Sequence, residues 1–282
     1  MEAPGRLTAG LAGIGAFFLT WAILRAITVE LWLLGIVVTD GPPPRIDPLL
    51  LATGFAGSFV AARLGGLPAV GILGLYALGL ISLTVARFVI EPVLQCALVP
   101  RLGCTTSAFD WLVNTPWAVE GLAGQLWIAP GMVLGVLAAR IVRGAIPLRS
   151  ALAAVSVFAV GIIIANHLTL ISRYTVCFDE DFLGRCIGPE YVFWFATHVG
   201  LGVVAGMRFI RFGGQARDAL ITGGILFVSY LPGPVHQMAM IAGDGIPAVL
   251  GSVGGLTGAL TYVLVSLTLL ARHGRRFASE VQ

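Results

Sequence analysis

There is no lysine in this chain: all 17 basic residues are Arg, and charged residues of either sign occupy only 11% of 282 positions. A soluble domain carries about 25% charged residues to keep its surface wet. That scarcity, beside 57% hydrophobic residues, excludes a soluble fold. The absence of Lys says little about chemistry, because Arg and Lys differ in function only at bidentate or stacked sites; it reads as the mark of a GC-rich genome. No long polar segment gathers the basic residues, so nucleic acid is not an expected partner despite a net charge of +3. Nor is a cleavable leader expected. MEAPGRLTAG runs into a long apolar stretch without a small-residue cleavage site, so the first span is expected to be retained.

What is present is one apolar run after another. Crossing ~30 Å of hydrocarbon takes about 20 helical residues. Windows of that kind lie at 8–38, 48–64, 67–90, 121–143, 150–172, 191–212, 218–243 and 246–271. The expected fold is therefore all-α: a single transmembrane domain, a polytopic bundle of about eight helices arranged as four hairpins. Turns rich in Gly and Pro, such as GPPPR (41–45) and GDGIP (243–247), punctuate it. The two longest loops are 91–120 and 173–190.

Arginine sorts the loops. With the N-terminus inside, Arg6, Arg63, Arg140, Arg143, Arg149, Arg208, Arg211, Arg217, Arg272, Arg275 and Arg276 all fall on the inner side. Asp40, Asp47, Glu91, Asp110, Glu120, Asp179, Glu180, Asp181, Glu190 and Asp244 fall on the other. This is the positive-inside pattern of a cell-membrane protein with both termini in the cytoplasm. RIVRGAIPLRSAL (140–152) and RFIRFGGQARDAL (208–220) share three Arg at identical spacing, offset by 68 residues, which fits a tandem quasi-repeat. Inner helix ends in any Arg-rich protein would also look alike.

The four Cys form two close pairs, Cys96 with Cys104 and Cys177 with Cys186, both in loops assigned to the outside. Spacings of C-x7-C and C-x8-C are wider than those of zinc sites and suit local disulfides in an oxidising compartment. Those loops then read as ordered caps on the bundle, flanked by Trp111, Trp117, Tyr174, Tyr191 and Trp194 as an interfacial aromatic belt.

Ionisable groups inside hydrocarbon cost about 2.5–3.5 kcal/mol even on insertion scales, so each one marks a candidate site. Counted along their spans, Glu30, Arg87, Gln125, Asn166, His167, His198 and His236 share a depth of about 6–12 Å below the outer surface, with Arg25 deeper. The expectation is a polar chamber open to the outside, with Glu91 and Glu120 at its rim. His167, His198 and His236 admit a transition metal, and two facing imidazoles admit a haem. An isolated His near a helix end is more commonly hydrogen-bonded to a neighbouring carbonyl. Arg25 and Glu30 fit a buried pair equally, and Arg87 fits snorkelling to the interface. GLAGIGAF (10–17), GLGVVAGM (200–207) and VGGLTGAL (253–260) place small residues for close helix packing, while Pro232 and Pro234 break the helix before His236.

RFVIE (87–91), followed by GLAGQLWIAPGMVLGVLAARIVR (121–143), resembles the closing segments of prolipoprotein diacylglyceryl transferase. The resemblance is local, running from Arg87 to Arg143, and implies that Arg87 and Glu91 hold a lipid headgroup; the His-Gly-Gly and Arg-x-Gly-Asn-Phe-x-Asn signatures of that family are absent. Two classes of function stay open. One is a transporter, channel or accessory subunit, with the bilayer and other membrane subunits as partners. The other is a membrane enzyme acting at the outer leaflet on a lipid-linked or haem- or metal-dependent substrate. Convergence of the three His discriminates between them.

Overall fold

The computed structural model describes residues 5–33, 47–86, 90, 123–142, 144–146, 148–172, 179–180, 186–187, 190–231 and 245–280. Seven helices occupy them: α1 (Arg6–Leu33), α2 (Asp47–Val85), α3 (Ile128–Ile141), α4 (Arg149–Ser172), α5 (Glu190–Arg211), α6 (Ala216–Tyr230) and α7 (Gly245–Glu280). Between α4 and α5, Asp179–Glu180 and Cys186–Ile187 form a two-rung antiparallel pair, β1 and β2, with Glu180 opposite Cys186. Among the described residues, six helices are long and apolar enough to cross a membrane. The chain is thus a multi-pass helical membrane protein, and each of the eight apolar windows of the sequence contains helix.

Two of those windows share α2, because α2 folds back on itself. Gly66 leaves the helical region at φ 69°, ψ −165°, with Pro68 starting the second arm, where its missing N–H costs nothing. Sixteen residues of straight helix would separate Gly57 from Leu73 by about 24 Å. Instead, a Cβ on Gly57 would lie 3.1 Å from Leu73 Cδ2 and 2.9 Å from the Gly13 carbonyl. The two arms are therefore antiparallel neighbours lying on α1, joined by a turn of a single non-helical residue.

α1 is the central helix. Of its most apolar 18-residue stretch 61% is buried, against 22–44% for the other five spanning helices. It packs on α2, α4 and α6, α3 covers α2, and α4, α5, α6 and α7 form the remaining half. Small residues set the closeness of these crossings. A Cβ on Gly15 would overlap the Leu152 backbone, and one on Gly131 the Leu51 carbonyl, so α1 meets α4 and α2 meets α3 backbone to backbone.

The arginine-bearing ends come together. Arg63 Nη2 donates to the Gly144 carbonyl at 2.6 Å, and Ser150 Oγ to the Phe212 carbonyl at 2.6 Å. The second bond joins the two copies of the sequence repeat, each a helix, a tight turn and a helix. Just inside this end, Tyr262 is fully buried, edge-on to Phe158 and Phe209, with its hydroxyl 3.1 Å from Thr222 Oγ1. Thr222 already donates to the Asp218 carbonyl at 2.7 Å, so Tyr262 is the donor in that pair. One ring thus ties α4, α5, α6 and α7.

Candidate functional site

Dense packing does not extend to the other end. Among the described residues, the buried side chains furthest from the arginines on each helix are Ala26 in α1, Leu50 and Ala77 on the two arms of α2, Ile128 in α3, Ala165 in α4, His198 in α5, Leu226 in α6 and Ala259 in α7. Beyond that level the described side chains are half-buried or exposed, including those of central α1. The floor so defined carries the polar groups.

Arg25 is exposed on α1, and its guanidinium lies over the Trp21 ring, 5.1 Å from the centroid. Trp21, four residues earlier on the same helix face, supplies that contact, and the expected pairing with Glu30 lies outside the described side chains. Glu30 lies in α1 with its side chain outside the described set. The guanidinium lies within electrostatic range of the Tyr230 phenol of α6. Tyr76 is buried edge-on to Phe17, centroids 5.5 Å apart.

His198 closes the cluster on α5. It is 7% exposed, sits edge-on to Tyr230 with centroids 5.6 Å apart, and contacts Trp194 at 5.7 Å. Glycines of α7 make room for both residues: a Cβ on Gly255 would collide with the Tyr230 ring, and one on Gly258 would come within 2.6 Å of the His198 carbonyl. The VGGLTGAL stretch is therefore a packing surface, as its small-residue spacing implied, and what it packs is the aromatic floor.

The expected histidine trio is only partly within the described residues. His198 and His167 each use Nδ1 on the carbonyl one turn back, Trp194 O at 2.8 Å and Ile163 O at 2.9 Å. A carbonyl only accepts, so Nδ1 carries a proton in both, and in the neutral ring Nε2 is the acceptor. They then diverge: His198 meets Tyr230, whereas His167 Nε2 meets Ser82 Oγ of α2 at 3.2 Å. Asn166 donates to the Ile162 carbonyl at 2.8 Å. Gln125 lines an apolar groove of about 430 Å³ between α2 and α3, with Gly71, Gly74 and Met132. Among the described residues no three His, Cys, Asp or Glu gather as metal ligands. Arg87, Glu91, Glu120, His236 and the bonding of Cys96, Cys104, Cys177 and Cys186 lie outside the described residues.

Sequence reasoning singled out Arg25 and His198 but missed Trp21, Tyr76, Tyr230 and Ser82. Trp21 alone left a signal, four residues before Arg25. The chain matches no protein-family model, no curated protein and no solved structure.

Proposed function

We propose that this protein is a carrier for a small anionic solute, spanning the bilayer eight times with both termini in the cytoplasm and open to the outside. The observation that carries this reading is Arg25, an exposed cation on the central helix at the level where the buried core ends, flanked by Trp21 and Tyr230. A cation held in the span marks a solute path more often than a structural element. The guanidinium supplies charge-assisted hydrogen bonds to an oxyanion, and the aromatic rings provide the walls. Below them, the Tyr262 core and the ties from Arg63 and Ser150 form the closed inner half that alternating access requires.

The test is thermal melting of the detergent-purified chain against phosphate, sulfate, acetate and benzoate. An anion at a hundred times its Kd stabilises by about 2.7 kcal/mol, a shift of several degrees. At least one anion is expected to raise the melting temperature of wild type, and Arg25→Gln to lose that rise while melting normally without anion. A rise retained in Arg25→Gln, or none in wild type, removes the reading.

Orientation and disulfides belong to the same proposal. In intact cells a membrane-impermeant maleimide is expected to leave the four native Cys unlabelled, and to label them after an impermeant reductant. Labelling without reductant rejects the Cys96–Cys104 and Cys177–Cys186 bridges, and no labelling after it rejects the outward placement.

A second reading, an enzyme of the outer leaflet, has one specific observation in its favour, the contact between Ser82 and His167. The resemblance of the Arg87 to Arg143 segment to prolipoprotein diacylglyceryl transferase belongs with it, as would a haem or metal on the His side chains.

A further inference from the structure

We infer that Ser82 and His167 form a nucleophile–base pair that takes an acyl group from a carboxylic ester with an apolar acyl chain. The site is separate from the floor around Arg25 and does not depend on the carrier reading. Its parts come from two helices: Ser82 from the second arm of α2 and His167 from α4, with Gly79 and Ile163 against each other one turn below. Oγ and Nε2 are 3.2 Å apart, within the reach that a serine nucleophile and its base require.

The imidazole is held in the correct form. Nδ1 donates to the Ile163 carbonyl at 2.9 Å, which fixes the ring and leaves the Nε2 lone pair facing the hydroxyl. That carbonyl does for this ring what a carboxylate does in a triad, orienting it and choosing the tautomer. The Ser82 hydroxyl also donates to the Gly79 carbonyl at 2.9 Å, so rotation about its Cβ–Oγ bond, with Oγ in place, moves its proton from a helix carbonyl to the base. Ser82 is exposed and His167 half-buried, an accessible nucleophile beside a shielded base.

The surroundings select the substrate. Leu78, Val85, Ile164 and Leu168, each within one turn of the pair, are 61%, 37%, 55% and 51% exposed. In a bilayer such a surface faces lipid tails, so an ester with an apolar acyl chain reaches Ser82 without leaving hydrocarbon. In the step proposed, Ser82 Oγ bonds to the ester carbonyl carbon as its proton passes to His167 Nε2. The tetrahedral intermediate then collapses by breaking the bond to the ester oxygen, which leaves as an alcohol with the proton from His167. Water, deprotonated by the same Nε2, releases the acid and restores Ser82, so no redox partner or metal is needed.

The experiment uses the full chain in detergent with a fluorophosphonate probe, peptide mapping, and three esters: p-nitrophenyl acetate, p-nitrophenyl octanoate and a diacyl phospholipid in mixed micelles. Expected are a stoichiometric adduct on Ser82, none in Ser82→Ala, and labelling slower by about 100-fold or more in His167→Gln. Octanoate should turn over faster than acetate. Fatty acid release from the phospholipid assigns the acyl group to lipid, and turnover of octanoate alone assigns it to free esters. The pair is a mere interhelical tie, and the inference is overturned, by no adduct at Ser82 in folded protein. Equal labelling in a folded His167→Gln overturns it as well.

Discussion

Gly15→Ala destabilises the protein by about 3 kcal/mol, the upper part of the range for overpacking, and Gly74→Ala does the opposite. The added atom is the same. At Gly15 it would overlap the Leu152 carbonyl, and a backbone group cannot swing aside as a long side chain can, so α1 and α4 must separate along their length. At Gly74 nothing lies within 4 Å, and replacing a helical glycine recovers up to about 1 kcal/mol of chain entropy. Melting in detergent followed by circular dichroism, at roughly 2–4 °C per kcal/mol, separates the two variants by sign. Equal effects would mean that α1 and α4 do not cross backbone to backbone.

Tyr262→Ala is the second large effect, a loss of about 3–5 kcal/mol, because it empties the volume between Phe158 and Phe209 where four helices meet. Tyr262→Phe costs only about 1 kcal/mol. Thr222 keeps its own donation to the Asp218 carbonyl, so removing the phenolic donor leaves one lone pair on Thr222 unused and no buried proton orphaned. The ratio of the two losses, measured by melting, tests whether ring volume or the hydroxyl holds that layer. A phenylalanine variant as unstable as the alanine one would assign the layer to the hydrogen bond.

The helices were legible because their signal is one-dimensional: an apolar run of the right length, with Arg at alternate ends. Even the reversal inside α2 was foreshadowed by Gly66 between the windows 48–64 and 67–90 and by Pro68 at the start of the second. The small-residue stretches were read correctly as contacts for the same reason, since spacing along a helix defines a face. Depth, too, follows from counting. Direction around each helix does not, because it is set by which neighbours the helix acquires. His167 and His198 were assigned one depth and one chamber, yet one imidazole reaches α2 and the other α6. Tyr76, Tyr230 and Ser82 went unnoticed since uncharged polar residues are common in such helices and carry no depth penalty to draw the eye. Arg25 was noticed on cost alone, and its partner Trp21 was overlooked because it too is ordinary in a membrane span.

The one-residue turn at Gly66 also has a bearing on how the chain is made. A ribosome feeding a membrane insertion machinery delivers helices in sequence, and a polar loop between two of them gives each time to settle alone. Between the arms of α2 there is no such loop. The 39 residues from Asp47 to Val85 are therefore expected to enter the bilayer as one hairpin and not as two separately inserted helices.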